Sequence, residues 1–337
     1  MRKISGTTTI CATVCLIVFI QSWASGQQQK PLVPGTGELV TEVGDDFEDP
    51  NWTFHANLPK VYNQKDNTLA KNFPVGFSAN GRWHEGKMRG QPDSVRRVAT
   101  PEGGLVGSKG ALAIRSLHTG GPRPSFQQQQ EDFIANISDR LGTVSVSQAP
   151  SIVTRVWLPP IDQWENRTGC HFAFRVGLET NPRSVMRGGI RTSDFEGYYW
   201  PGMFIHLDSK EGKGGTGEQH DYAHIWIKAT DDGRRMQGPQ IKTTGWWTLG
   251  MSITTDGRVH YFAKPGVENL TEKDLIGSSY PFGYRAQRLR SFFFNVCNGD
   301  DGRTWSTEFV IDDTQLFMAN RNTRGAQRGS TTYRFSR

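Results

Sequence analysis

Three stretches between Gly169 and Ala229 alternate apolar residues with residues of other kinds at a period of two. In the first, Phe172, Phe174, Val176 and Leu178 alternate with His171, Ala173, Arg175 and Gly177. In the second, Met203, Ile205 and Leu207 alternate with Phe204, His206 and Asp208. In the third, Ala223, Ile225, Ile227 and Ala229 alternate with Tyr222, His224, Trp226 and Lys228. A period of two predicts strands with one apolar face for a core. The opposite face is not a bland Ser/Thr/Lys surface, because it collects His, Arg, Asp, Tyr and Trp. If the three strands are neighbours in one sheet, these side chains share one surface, the first candidate for function.

The same pattern predicts strands over 110–117, 151–158, 245–253, 259–262, 290–296 and 306–318. Pro159-Pro160 stops the second of these. Thr255-Asp256-Gly257-Arg258 carries the Asp-Gly hairpin signal, and Cys297 to Gly302 reads as another turn. Residues 57–105, 119–130, 181–199, 210–217 and 230–240 read as loops. The first holds Arg82, Trp83, His84, Glu85, Arg89, Arg96 and Arg97. It reads either as a flap over a sheet or as a loop tied down by its own salt bridges. Residues 27–44, rich in Gln, Pro and Gly, read as a flexible linker, residues 45–318 as one domain, and residues 319–337 as a basic disordered tail. Many strands, hairpin turns and no βαβ rhythm predict an all-β, two-sheet antiparallel sandwich with long loops.

Arg2 and Lys3, the apolar run Ile10 to Ile20, and small residues at Ser22, Ala24 and Gly26 predict a signal peptide over 1–26, and hence a secreted, periplasmic or envelope protein. No other segment is apolar enough to span a membrane. Removing Arg2 and Lys3 from the 39 basic residues leaves 37 against 33 acids, a mild net charge of +4. Five of those arginines sit in the acid-free tail, and no nucleic-acid motif is present, so nucleic acid is not an expected partner. Export permits a disulfide between Cys170 and Cys297, but two buried free thiols read the same way, so both states stay open.

Two segments carry a resemblance to the concanavalin A-like lectin/glucanase superfamily. Gly245-Trp246-Trp247 through Asp256-Gly257 to Val259-His260-Tyr261-Phe262 resembles its Gly-x-Trp strand, Asp-Gly turn and Tyr-containing return strand. Phe309 to Phe317 resembles the closing strand of such domains, and Phe47-Glu48-Asp49 with Trp52 is similar to their first strand. The resemblance implies a jelly roll, a fold that hosts binding modules, hydrolases and lyases alike. It also implies a structural calcium where first and last strands meet, with Asp46, Glu48, Asp312 and Asp313 in the matching positions; the alternative is acidic strand edges solvated by water. The Glu-x-Asp-x-x-Glu strand motif of the superfamily's hydrolases is absent, and the carboxylate pair Asp194/Glu196 falls in a loop, which counts against a glucanase.

Two chemistries suit the polar face of the alternating strands. Eliminative cleavage of a uronic-acid polymer needs a neutraliser for the carboxylate and groups that move protons, for which His171, Arg175, His206, Tyr222 and His224 are candidates. Glycan binding needs rings that stack on sugars and polar groups for the hydroxyls, for which Trp226, Phe204, Trp246, Lys228 and Asp208 are candidates, with Tyr222 and Trp157 beside them. His220 and His224 share a strand face, a spacing that reads as a polar face before it reads as zinc. The expectation is an exported jelly roll that binds or processes polysaccharide. The alternatives are a lyase acting on uronic-acid polymers, and an envelope or matrix protein whose sheet face is flat.

Overall fold

The computed structural model describes residues 29–58, 60, 75–86, 89–118, 129–181, 197–212, 214–217 and 219–320. The predicted signal peptide, nearly all of the basic tail, and the pair Asp194/Glu196 lie outside the described residues. Contacts divide the chain into residues 1–30 and residues 31–337.

Nineteen strands are described, in chain order β1 (Glu38–Asp45), β2 (Phe54–His55), β3 (Phe77–Ser78), β4 (Trp83–Glu85), β5 (Ser94–Val98), β6 (Ala111–Arg115), β7 (Gln129–Ala135), β8 (Val144–Ser145), β9 (Pro150–Leu158), β10 (Gly169–Glu179), β11 (Tyr198–Tyr199), β12 (Gly202–Asp208), β13 (Tyr222–Lys228), β14 (Arg235–Ile241), β15 (Gly245–Ile253), β16 (Val259–Pro265), β17 (Leu275–Ser279), β18 (Arg288–Asn298) and β19 (Phe309–Met318). One α-helical turn, α1, covers Ser138–Leu141. The strands form two antiparallel sheets, the jelly-roll sandwich expected. The first runs β17-β16-β15-β9-β19-β6-β5, with β1 also on β19. The second runs β14-β13-β12-β10-β18-β7-β4-β3-β2, with β11 on β10 and β8 on β18.

The apolar half of each alternating run fills the space between the sheets. Phe172, Phe174, Val176 and Leu178 are fully buried, as are Met203, Ile205 and Leu207 of β12 and Ala223, Ile225 and Ile227 of β13 to within 1%. Aromatic rings dominate this core. Trp83 stacks on Phe133 at 4.6 Å, and Phe294 packs against Trp83, Phe172 and Phe174. Such rings bury large apolar areas and gain from offset contact with one another.

Three departures from the sequence reading matter for the site. Residues 38–45 are not linker but a strand paired with β19, with Val40 and Val43 in the core, so the domain begins before residue 45. Residues 235–241, all but the last within the predicted polar loop 230–240, pair with β13. Pro239 and Gly238 hid this strand from a propensity reading, but β14 is the sheet edge, where a missing N–H is tolerated. Residues 129–135 form β7 between β18 and β4. The predicted Asp-Gly turn holds: Gly257, at φ +81°, joins β15 to β16, and an added Cβ would meet the Ala286 carbonyl oxygen at 2.4 Å.

Candidate functional site

The registers of the second sheet set the order of side chains on the face turned away from the core. His224 of β13 lies opposite His206 of β12, which lies opposite Cys170 of β10. Two residues along, Trp226 faces Phe204, then come Ala173, Asn295 of β18 and Asp132 of β7. Two residues further, Lys228 faces Gly202, followed by Arg175, Phe293 and Ile134. The edge strand β14 extends these rows, with Gln240 opposite His224, Gln237 opposite Trp226 and Arg235 opposite Lys228. Gly202 makes room for the arginine, since a Cβ there would come within 2.6 Å of Arg175 Cγ.

Two cavities open on this face. The first, about 130 Å³, is lined by Phe204, His206, Trp226, Lys228, Arg235 and Gln130, with Cys170 and Cys297 among its walls. The second, about 330 Å³, is lined by His84, Arg89, Asp132, Arg175, Trp200, Arg290 and Phe293 among others. Arg175 joins them. Its guanidinium lies 5.2 Å from the Phe204 ring centroid and 5.3 Å from that of Phe293, and it donates to the Trp200 carbonyl and to Asn295 Oδ1 (3.2 Å). Asn295 in turn donates to Asp132, and Arg89 reaches Asp132 at 3.8 Å.

Charge on this face leans positive. Burial pulls Arg175 down to about 10, with Asp132 opposing the shift. Burial, then Arg175, Arg235 and Arg89, lower Lys228 from the usual lysine value. Among the described residues no hydrogen bond or ion pair engages the Lys228 ammonium or the Arg235 guanidinium. The imidazoles behave oppositely. Burial pushes His206 down to about 4 against the pull of Asp208, and burial lowers His224 as well. Both are therefore neutral at neutral pH and keep a ring lone pair.

His206, Asp208 and His224 form a tight group. Asp208 Oδ1 is 3.6 Å from His206 Nε2, and Asp208 Oδ2 is 3.0 Å from His224 Nδ1. The rings of His206 and His224 are 5.1 Å apart, and Tyr222 stacks on His224 at 5.9 Å. The 3.0 Å contact lacks hydrogen-bond geometry, so neither ring nitrogen of buried His224 has a hydrogen-bond partner among the described residues.

Thus Arg175, His206, Tyr222, His224, Phe204, Asp208, Trp226 and Lys228 share one sheet face, as the alternation implied. His171 does not join them. A bulge between Cys170 and Phe172 turns it to the end of the sandwich, where Nδ1 meets Thr307 Oγ1 at 2.9 Å, Nε2 meets the Arg167 carbonyl at 3.1 Å, and the ring packs on Trp164. Trp246 belongs to the first sheet. It packs with Ala111, Ala113 and Val310, beside Trp157, and its Nε1 donates to the Pro101 carbonyl. Cys170 and Cys297 are free thiols with Sγ atoms 3.7 Å apart.

The four acids named for a calcium site at the first and last strands fall into two pairs. Asp313 is engaged by Arg155, and Asp46 Oδ1 accepts from the Glu48 N–H. Glu48 and Asp312 converge through the Ser108 hydroxyl, and Glu48 also accepts from the Lys109 and Gly110 N–H groups, while Asp46 and Asp313 line a separate pocket with Asp45 and Asp49.

The sequence reading passed over Arg235, Gln130 and Asp132, because they stand in predicted loops or unassigned chain, and over Asn295, a single amide in the largely apolar predicted strand 290–296. It passed over Trp200, which stands outside every predicted strand, and named Arg89 only in the loop that reads either as a flap over a sheet or as a salt-bridged segment. The Arg/Trp/His segment is divided: Trp83 is core, while His84 and Arg89 line the second cavity.

No family model matches the chain, and no curated protein matches it. Solved structures align with the sandwich at low similarity. They include a carbohydrate esterase from the Shiga toxin-encoding bacteriophage phi24B (9% identity, 76% of this chain and 95% of that one, TM-score 0.38). The marine PL7 alginate lyase of Zobellia galactanivorans aligns at 8% identity over 65% of this chain and 80% of that one, with a TM-score of 0.36. An endo-β-1,4-glucuronan lyase from the fungus Trichoderma reesei aligns at 11% identity over 67% and 90%, with a TM-score of 0.33. No site residue is carried over from any of them. Among the described residues, no helix is long and apolar enough to cross a membrane.

Proposed function

We propose that this chain is an exported protein that binds an acidic polysaccharide on the outer face of its second sheet. The observation that carries the reading is the first cavity, where the unpaired cations Lys228 and Arg235 stand beside the rings of Trp226 and Phe204. Lys228, half-buried and without a carboxylate partner among the described residues, carries a cost that an anionic ligand offsets, and Arg235 adds an exposed cation beside it. Aromatic faces bind the apolar side of sugar rings, while Gln130 and the neighbouring amides are suited to hydroxyl groups. A sugar polymer with carboxylate or sulfate groups satisfies all three features.

A second reading, eliminative cleavage of a uronic-acid polymer, is favoured by the neutral state of His206 beside Tyr222 and the cations. Positive charge from Lys228, Arg235 and Arg175 would hold the uronate carboxylate and make the C5 hydrogen acidic. His206 or Tyr222 would take that proton, the C4–O bond would break as the C4–C5 double bond forms, and the departing oxygen would receive a proton.

The test is incubation of the full chain with uronic-acid, sulfated and neutral polymers, following retention and the ultraviolet absorbance of unsaturated ends. Retention of acidic polymers alone supports binding. Absorbance growth that disappears in Tyr222→Phe or His206→Ala supports cleavage. Equal retention of neutral and acidic polymers, or none of either, overturns both readings.

A further inference from the structure

The structure assigns a second capacity to the same face: we propose that His206, Asp208 and His224 hold a divalent first-row transition-metal ion, of which zinc is the probe. Among the described residues these three make the only group of three or more His, Cys, Asp and Glu side chains whose potential ligand atoms all fall within 4.8 Å of one another. They arise from a local rule. His206 and Asp208 are two apart on β12 and so share a face, and the β12–β13 register sets His224 directly opposite His206.

The geometry suits a small cation. Metal–ligand bonds of roughly 2.0–2.2 Å place neighbouring ligands of a tetrahedral ion roughly 3.3 Å apart. Each carboxylate oxygen of Asp208 faces one imidazole near that separation, Oδ1 at 3.6 Å from His206 Nε2 and Oδ2 at 3.0 Å from His224 Nδ1. Two imidazoles and one carboxylate with further positions open form a ligand set used for zinc and for non-haem iron.

A second observation points the same way. His224 is only 3% exposed, yet both of its ring nitrogens lack hydrogen bonds among the described residues. Buried polar atoms are seldom left so, and an absent ion is a recognised reason. The carboxylate offers one oxygen toward each ring. His206 also lines the first cavity, so the open positions of the ion would meet whatever occupies it.

This inference does not rest on the polysaccharide reading. With an ion bound, His206 serves as a ligand, and proton transfer on this face falls to Tyr222, which is outside the ligand set.

The experiment uses the full chain, freed of any histidine tag and stripped with chelator. Zinc is titrated calorimetrically, and cobalt(II) by its visible absorption. We expect one saturable ion per chain, with affinity at least about 100-fold weaker in Asp208→Asn and in His224→Ala. His220→Ala, altering an exposed histidine four residues away, should bind as wild type. Zinc should raise the melting temperature of wild type and not that of Asp208→Asn, which separates lost ligation from lost folding. Absence of stoichiometric binding, equal binding by wild type and Asp208→Asn, or loss of binding in His220→Ala overturns the assignment. Each of those results can occur with polysaccharide retention intact, so failure of the metal site and failure of the glycan reading are distinguishable.

Discussion

Lys228→Met separates function from stability on this face. The ammonium has no hydrogen bond or ion pair among the described residues, and it shares its surroundings with Arg175, Arg235 and Arg89. Burial and those cations hold its pKa below the free-lysine value of 10.5. The folded state therefore binds this proton less readily than the unfolded state. The resulting cost is fully present below the folded pKa and disappears as pH rises toward 10.5. Methionine keeps the stem and removes the charge, so stability at pH 7 should hold or rise, within about 1 kcal/mol. Binding should move the other way. A hydrogen bond to a charged group contributes about 1.5–3 kcal/mol, so affinity for an acidic polymer should fall roughly 10- to 150-fold. The gap between wild type and variant should narrow with added salt, since the charges face solvent at a cavity mouth. Affinity electrophoresis or calorimetry at two ionic strengths, beside thermal melts, measures both effects. A lowered melting temperature with unchanged affinity would refute the reasoning, because it would make Lys228 a structural residue.

Two further predictions concern the scaffold. Phe294→Ala removes a fully buried ring that touches Trp83, Phe172 and Phe174; denaturant melts should show a loss of about 3–5 kcal/mol, and a loss below about 1 kcal/mol would contradict the packing described. Asp312, 1% exposed, is pushed up to about 7 by burial, with Asp313 and Glu48 adding to the shift. An acid raised in the folded state stabilises fully below its unfolded pKa and loses that contribution as pH climbs from near 4 to near 7. By pH 8 the penalty reaches up to about 4 kcal/mol. Asp312→Asn should therefore flatten the decline in stability between pH 5 and pH 8, and parallel curves for the two proteins would contradict it.

Much of the site was legible because a strand reports its own faces. In β12 and β13 the apolar positions face the core, and Phe204, His206, Asp208, Tyr222, His224, Trp226 and Lys228 fall on the other side, as period two requires, although His224 and nearly all of β10 are buried on both faces. The two failures have separate causes. His171 is misplaced by a bulge, which shifts parity without a mark in the residue pattern. Trp246 alternates correctly but in the other sheet, and alternation carries no information about which sheet a strand joins.

What the residue order determined by itself was local: the β class, the hairpin at Gly257, and the composition of each strand face. Those follow from the two-residue repeat and from turn chemistry within a few residues. Only the tertiary structure decided which faces meet. It brought Asp132 and Asn295 to Arg175, placed Arg235 at the end of the Lys228 row, set the two thiols 3.7 Å apart, and gathered two histidines around one aspartate. Strand order and register arise from how two large sheets close over a shared core, a sum of many long-range contacts that no single segment encodes.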